Sequence, residues 1–351
     1  MGLTVVLALV AGTLAKLPHF FAGIEEESFY LKYLGGIVAG ALICFFCVQR
    51  GCGLRAMVAM ASVLAGSLTY LSFLPAIDTS DTSVLACLHL AVVFWFLVGV
   101  AFLSGDWKCL SGRMSYVRYN GELLIYSTVI LIGGGVLTGL TIALFQLIEL
   151  DITDWYMRNV ARYGAVASPL VGTLIVTRIV GDRFRMAPLL AKVFTPLFLL
   201  MVIGYFVAMV VGQRSPFTDR DFFIAFNGLL LVVLGLCIFS ISERGRKEFA
   251  GGVDFMNIGL VLVTLVINVI ALVVILFRLS SYGFTPNRVA VLGVNLLVFC
   301  HLTGIAYYYV RFALGRIGCE GVEKWIVRYI PVYVVWSVVA AVLLPILFGF
   351  A

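Results

Sequence analysis

Two arginines, three histidines and a scatter of asparagines are the residues here whose types and spacing could do chemistry. Arg278 and Arg288 flank the short connection Tyr282-Gly283-Phe284-Thr285-Pro286-Asn287. Two guanidinium forks at one surface can clamp a phosphate or carboxylate, from a lipid headgroup or a solute, by bidentate hydrogen bonds. The alternative is that both snorkel and mark the ends of their helices. His89, Asn120, Asn257, Asn268, Asn295 and His301 lie in or at the edge of long apolar runs, and could together line one polar seam, with Asn227 adding an amide. An ionisable or polar group at such a place is costly enough to suggest function. The plainer alternative is interhelical hydrogen bonding, worth about 0.6 kcal/mol per contact on average, and it outweighs a role in a permeation path. His301 is expected to meet the Asn257 and Asn268 face of the preceding helix.

Catalytic and metal signatures are missing from the pattern. There is no H-E-x-x-H, no G-x-S-x-G and no Walker lysine loop, so no catalytic residue and no cofactor is assigned. Cys44 and Cys47 form a C-x-x-C followed by Cys52, without a second pair or a nearby histidine to complete a zinc site. Cys44, Cys87, Cys237 and Cys300 fall inside apolar runs, where a thiol acts as a small hydrophobe, so a disulfide scaffold is not expected.

The elements that position these groups follow from the solvent. Hydrophobic residues make up 62% of the 351 and charged ones 12%, and the mean hydropathy is +1.11. A soluble domain carries about 25% charged residues, so water is not the main solvent of this chain. An apolar stretch of about 20 residues spans a hydrocarbon core about 30 Å thick, and lipid leaves no bare backbone unsatisfied, so each stretch must be helical. The expected fold is an all-α polytopic transmembrane bundle of about eleven helices (ten to twelve), one integral membrane domain over 1–351. The windows are 3–22, 29–48, 56–76, 84–104, 123–147, 160–180, 188–212, 222–241, 253–277, 289–311 and 325–350. The first is a retained span rather than a cleaved signal, because Gly2 to Ala15 lacks a basic lead. The connections are too short for a soluble core.

Charge orients the bundle. Sixteen of the 24 Lys and Arg fall in the loops after the second, fourth, sixth, eighth and tenth windows. That alternation is the positive-inside pattern, so the N-terminus is expected in the cytoplasm and the C-terminus outside. The net charge of +6 reflects this bias and not a nucleic-acid surface. The basic run Gly181-Asp182-Arg183-Phe184-Arg185 would hold lipid headgroups. All 18 carboxylates lie in loops or near window ends, the innermost being Glu122 and Asp254, which disfavours a carboxylate-based proton carrier. Gly36 and Gly40, and Gly133 to Gly135 with Gly139, form G-x-x-x-G patterns suited to close helix contact, within the chain or with a partner.

The segment Tyr282-Gly283-Phe284-Thr285-Pro286-Asn287-Arg288 resembles the Y-G-x-T-x-x-R turn of a bacterial polytopic membrane protein family listed as domain of unknown function 4153. Leu88-His89-Leu90 resembles that family's L-H-L segment, and Tyr119-Asn120 its aromatic-Asn entry into a long apolar helix. The likeness covers roughly 56–311 and implies a bacterial inner membrane, but brings no activity, substrate or cofactor. Independently of it, Gly283 permits a positive-φ bend, Thr285 or Asn287 can cap, and Pro286 suits a first helical turn.

The expectation for function is a transporter-like or channel-like protein for a small solute or lipid. A non-catalytic scaffold or sensor of a larger assembly is the alternative, and an enzyme acting on a lipid-linked substrate the second. Expected partners are membrane lipids and either a second copy or another membrane protein, with no nucleic acid.

Overall fold

The computed structural model describes residues 1–21, 23–180, 186–211, 220–243 and 250–350. The basic stretches 181–185 and 244–247, expected at a cytoplasmic face, lie outside the described residues. Every described element is helical, with no strand among the described residues. In chain order the helices are α1 (Gly2–Ala15), α2 (Glu26–Arg50), α3 (Leu54–Phe73), α4 (Asp81–Phe102), α5 (Leu110–Gln146) and α6 (Thr153–Arg178). There follow α7 (Ala187–Val211), α8 (Arg220–Ser242), α9 (Gly252–Tyr282), α10 (Pro286–Ala313) and α11 (Cys319–Leu347). Eight of them, α2 to α6 and α9 to α11, are long and apolar enough to cross a membrane, counted among the described residues.

The helix α1 differs most from its window of 3–22. It ends after 14 residues, about 21 Å at 1.5 Å per residue, which is short of a hydrocarbon core. A separate turn, Leu17–Phe20, carries Pro18 near its start, where a missing N–H costs nothing. The fifth window also shifts. Helix α5 runs for 37 residues from Leu110, so Arg113 and Arg118 sit on its first turns instead of in a loop. The apolar window marks only the part of a helix that lipid could cover.

The chain divides into two compact units. One holds Met1–Cys109 and Tyr119–Met186, the other Leu110–Arg118 and Ala187–Ala351. In the first unit α1 packs on α6 with Gly12 against the Tyr163 ring. The G-x-x-x-G of α2 meets α3: a Cβ at Gly36 would lie 2.6 Å from Leu68 Cδ2, and one at Gly40 3.2 Å from Leu64 Cδ2. The glycines of α5 behave otherwise. Among the described residues nothing lies within 4 Å of a Cβ built on Gly133, Gly134, Gly135 or Gly139, and the apolar stretch they sit in exposes Leu124, Val129, Ile132, Val136, Leu137, Leu140 and Leu144. Phe46, Phe102 and Tyr119 form the aromatic centre of this unit, with ring centroids 5.0–5.4 Å apart.

In the second unit α9 and α10 form an antiparallel hairpin and α11 packs along α10. Gly293 and Gly304 of α10 are notches for the indoles of Trp336 and Trp325 of α11. Both pairs are eleven residues apart, three helical turns, so each glycine repeats on the face that its tryptophan repeats on. At the start of α5, Arg118 donates to Glu323 at 2.8 Å and to the Ser242 carbonyl at 2.6 Å, closing the C-terminal end of α8.

Candidate functional site

One face of α9 carries a polar stripe. Asp254, Asn257, Thr264 and Asn268 follow one another at intervals of three, seven and four residues, which keeps all of them on one side of a helix. None is more than 4% exposed. From Asp254 to Asn268 the stripe runs about 21 Å along the axis. Gly251 precedes the helix, and Asp254 accepts from its N–H at 2.7 Å, a capping contact that anchors the carboxylate at the first turn.

Two hydrogen-bonded chains hang from this stripe. In the first, Asn257 donates through Nδ2 to Tyr309 Oη at 3.1 Å, and Tyr309 donates to Asp254 Oδ1 at 2.8 Å. In the second, Asn268 donates to Asn295 Oδ1 at 3.2 Å, and Asn295 donates to Asn227 Oδ1 at 2.6 Å and to the Val291 carbonyl at 2.9 Å. These amides join α9, α10 and α8 around mid-length of α9. Each chain runs donor to acceptor away from α9 at its amide end, leaving an acceptor behind. Asn257 Oδ1 and Asn268 Oδ1 are buried and find no hydrogen-bond partner among the described residues. Between them the Thr264 hydroxyl gives its proton to the Leu260 carbonyl at 2.6 Å, keeping its lone pairs. The stripe therefore offers oxygen acceptors and a carboxylate, and each undonated buried amide oxygen costs about 1–3 kcal/mol.

The six asparagines and histidines expected to form one seam separate into four places. Asn268 and Asn295 do meet, with Asn227. Asn257 belongs to the same face of α9 but bonds Tyr309. His301 does not reach the α9 amides: its Nδ1 lies 3.0 Å from Tyr333 Oη, and its ring stacks on Tyr329 at 4.5 Å and 13°, both on α11. The reason is register. His301 is six residues after Asn295, about 120° around the helix from it, so it faces α11 while Asn295 faces α8 and α9. His89 turns back on its own helix, Nδ1 2.8 Å from the Leu85 carbonyl. Asn120 accepts from the Trp95 indole at 3.0 Å in the first unit, beside Tyr119, whose hydroxyl pairs with Thr173 at 2.7 Å.

The two arginines also differ from one another. Arg288 Nη1 donates to the carbonyls of Tyr282 and Gly283, each at 2.7 Å, so its guanidinium closes the C-terminal end of α9. Gly283 sits at φ 76°, where a side chain is disfavoured, and Thr285 accepts from Arg288 N–H at 3.4 Å as the cap before Pro286. Arg278 is half-buried near the end of α9.

Sequence reasoning missed the tyrosines. Tyr309 and Tyr333 supply the hydroxyls that complete two of these contacts, and each lies on a different helix from its partner, so no spacing in the sequence signals the pairing. Asp254 lies in the first turn of α9, at the window end where the sequence places it, and is buried at 4% exposure; Glu122, at 2% exposure, lies twelve residues inside α5. Among the described residues no cysteine is joined in a disulfide, and no group of His, Cys, Asp and Glu is placed to hold a metal ion. No family model, no curated protein and no solved structure matches this chain.

Proposed function

We propose that the chain is a multi-pass protein of a bacterial cytoplasmic membrane that carries a small cation, or a solute rich in hydrogen-bond donors, along the polar face of α9. The observation that carries this is the pair of buried, undonated oxygens of Asn257 and Asn268 with Thr264 between them and Asp254 at one end. A purely structural seam would satisfy its acceptors, since leaving them bare inside a bundle is a stability cost with no return. The missing partners are donors or positive charge, which names the class of solute. About eleven spans, a cytoplasmic N-terminus and an outer C-terminus fit the distribution of Lys and Arg. The turn at Tyr282–Arg288, with Leu88-His89-Leu90 and Tyr119-Asn120, supports placing it with the bacterial family of domain of unknown function 4153.

The test is ion uptake by vesicles holding the purified protein, with Na⁺, K⁺ and H⁺ each followed by an internal dye. Uptake of at least one that slows several-fold in Asn268→Leu supports the proposal. A well-folded protein that admits none of the three, or an Asn268→Leu variant as fast as the parent, overturns it.

A second reading, a non-catalytic membrane component of an assembly, draws on α5. Its apolar part is exposed around its circumference and its four glycines meet no neighbour among the described residues, a surface that would let another protein's helix approach closely.

A further inference from the structure

The first unit contains a cavity of about 570 Å³ between the start of α1, the end of α2 and the end of α6. Its polar lining is Thr4, Gln49 and Arg178, and its apolar wall includes Leu3, Phe45, Val48 and Leu174. Thr4 is 3% exposed, and its hydroxyl finds no hydrogen-bond partner among the described residues. A threonine in a helix ordinarily returns its hydroxyl to the carbonyl four residues back, as Thr141, Thr173 and Thr264 do here. Thr4 makes no such bond among the described residues. Arg178 is exposed at the rim, and among the described residues it is the one charged side chain of the lining, with no carboxylate beside it.

We propose that this cavity binds a phosphate-class anion with an apolar appendage, the chemistry of an anionic phospholipid headgroup and the upper part of its chain. Arg178 supplies a planar fork for two phosphate oxygens, Gln49 an amide N–H and Thr4 a hydroxyl proton. Leu3, Val48 and Leu174 cover the first methylenes. The size fits, because ligand cavities run about 300–1,000 Å³. The location fits as well: Arg50 and Arg55 follow α2 at this end, and basic side chains between helices on the cytoplasmic side attract anionic lipid. This site shares no residue with the α9 stripe and does not rest on the transport proposal.

The experiment uses the full chain in detergent with phosphatidylglycerol, phosphatidylethanolamine, or inorganic phosphate, and counts bound molecules by native mass spectrometry. Phosphatidylglycerol should remain bound to the parent protein and phosphatidylethanolamine should not. Arg178→Gln should cut retention about tenfold or more, the loss of a charged hydrogen bond. Arg178→Lys should fall between, and Thr4→Val, close in shape, should weaken retention several-fold with the helix content unchanged. If inorganic phosphate displaces the lipid at millimolar concentration, the anion chemistry holds and a soluble phosphate compound is the source. Equal retention of both lipids, or undiminished phosphatidylglycerol binding in the Arg178→Gln, Thr4→Val double variant, overturns the site.

Discussion

Replacing Gly304 by Ala should destabilise the α10–α11 pair, and by more than the same change at Gly293. A Cβ at Gly304 would fall inside the Trp325 indole, and one at Gly293 inside that of Trp336, so either ring must move. Overpacking of this kind costs about 1–3 kcal/mol. Alanine returns about 1 kcal/mol through its better helix propensity. Trp325 has more to lose than bulk, since its indole N–H donates to the His301 carbonyl at 3.1 Å, a bond worth about 0.5–1.5 kcal/mol. The Trp336 N–H finds no partner among the described residues, so Gly293→Ala forfeits no such bond. The expected order is Gly304→Ala below Gly293→Ala below the parent, with the first about 0.5–3.5 kcal/mol down. Reversible unfolding in mixed micelles, followed by tryptophan fluorescence, measures it. Trp325→Leu placed on Gly304→Ala should recover part of the loss by vacating the notch. A Gly304→Ala protein as stable as the parent would refute the notch geometry.

Arg288→Lys should loosen the α9–α10 turn by about 1–3 kcal/mol, because an ammonium cannot reproduce the contact of one planar fork to the Tyr282 and Gly283 carbonyls; proteolysis of the connection reads it. His301→Leu should cost about 0.6 kcal/mol on the average for such contacts and leave α9 untouched, since the ring faces Tyr329 and Tyr333; an unfolding titration shows whether a larger loss marks another role. The Thr153 hydroxyl and N–H, the latter 2.9 Å from Asp151 Oδ1, hold the Asp151 carboxyl below its usual range. A depressed carboxylate contributes above its unfolded pKa and loses that contribution as pH falls through the lower folded value. The protection factor of the Thr153 amide, its exchange relative to the intrinsic rate at each pH, should therefore fall on acidification below the ordinary Asp range, and in Asp151→Asn that fall should be absent.

The helical membrane character was legible because lipid imposes it: 62% hydrophobic residues in runs of about 20 admit no other regular structure. Helix ends were less so. Leu110 to Glu122 reads as a loop on hydropathy alone, yet those residues continue α5, since a helix does not stop where lipid does. The turn at Gly283-Phe284-Thr285-Pro286 was readable from local stereochemistry, which depends on nothing distant. The site was readable in residue types and not in partners. Asn268 and Asn295 found each other across α9 and α10, while His301, on the other side of α10, found α11. Which face a polar residue presents follows from its phase along the helix. Which neighbour waits on that face depends on packing, and the glycine notches at 293 and 304, which draw α11 against α10, carry no signal until their tryptophans are known.

The central claim, that the α9 stripe is a path, is tested most directly at Thr264, fully buried between the two bare amide oxygens. Thr264→Cys would be made in a chain whose exposed Cys44, Cys109 and Cys300 are replaced by alanine, then exposed in vesicles to a small, charged, membrane-impermeant thiol reagent. A path predicts modification within minutes, slowed by the permeant cation and by Asn268→Leu. An introduced thiol at position 264 that stays unmodified while a folded control chain retaining Cys109, in the connection before α5, reacts under the same conditions would contradict it, because a seam that never admits water or a small cation carries nothing.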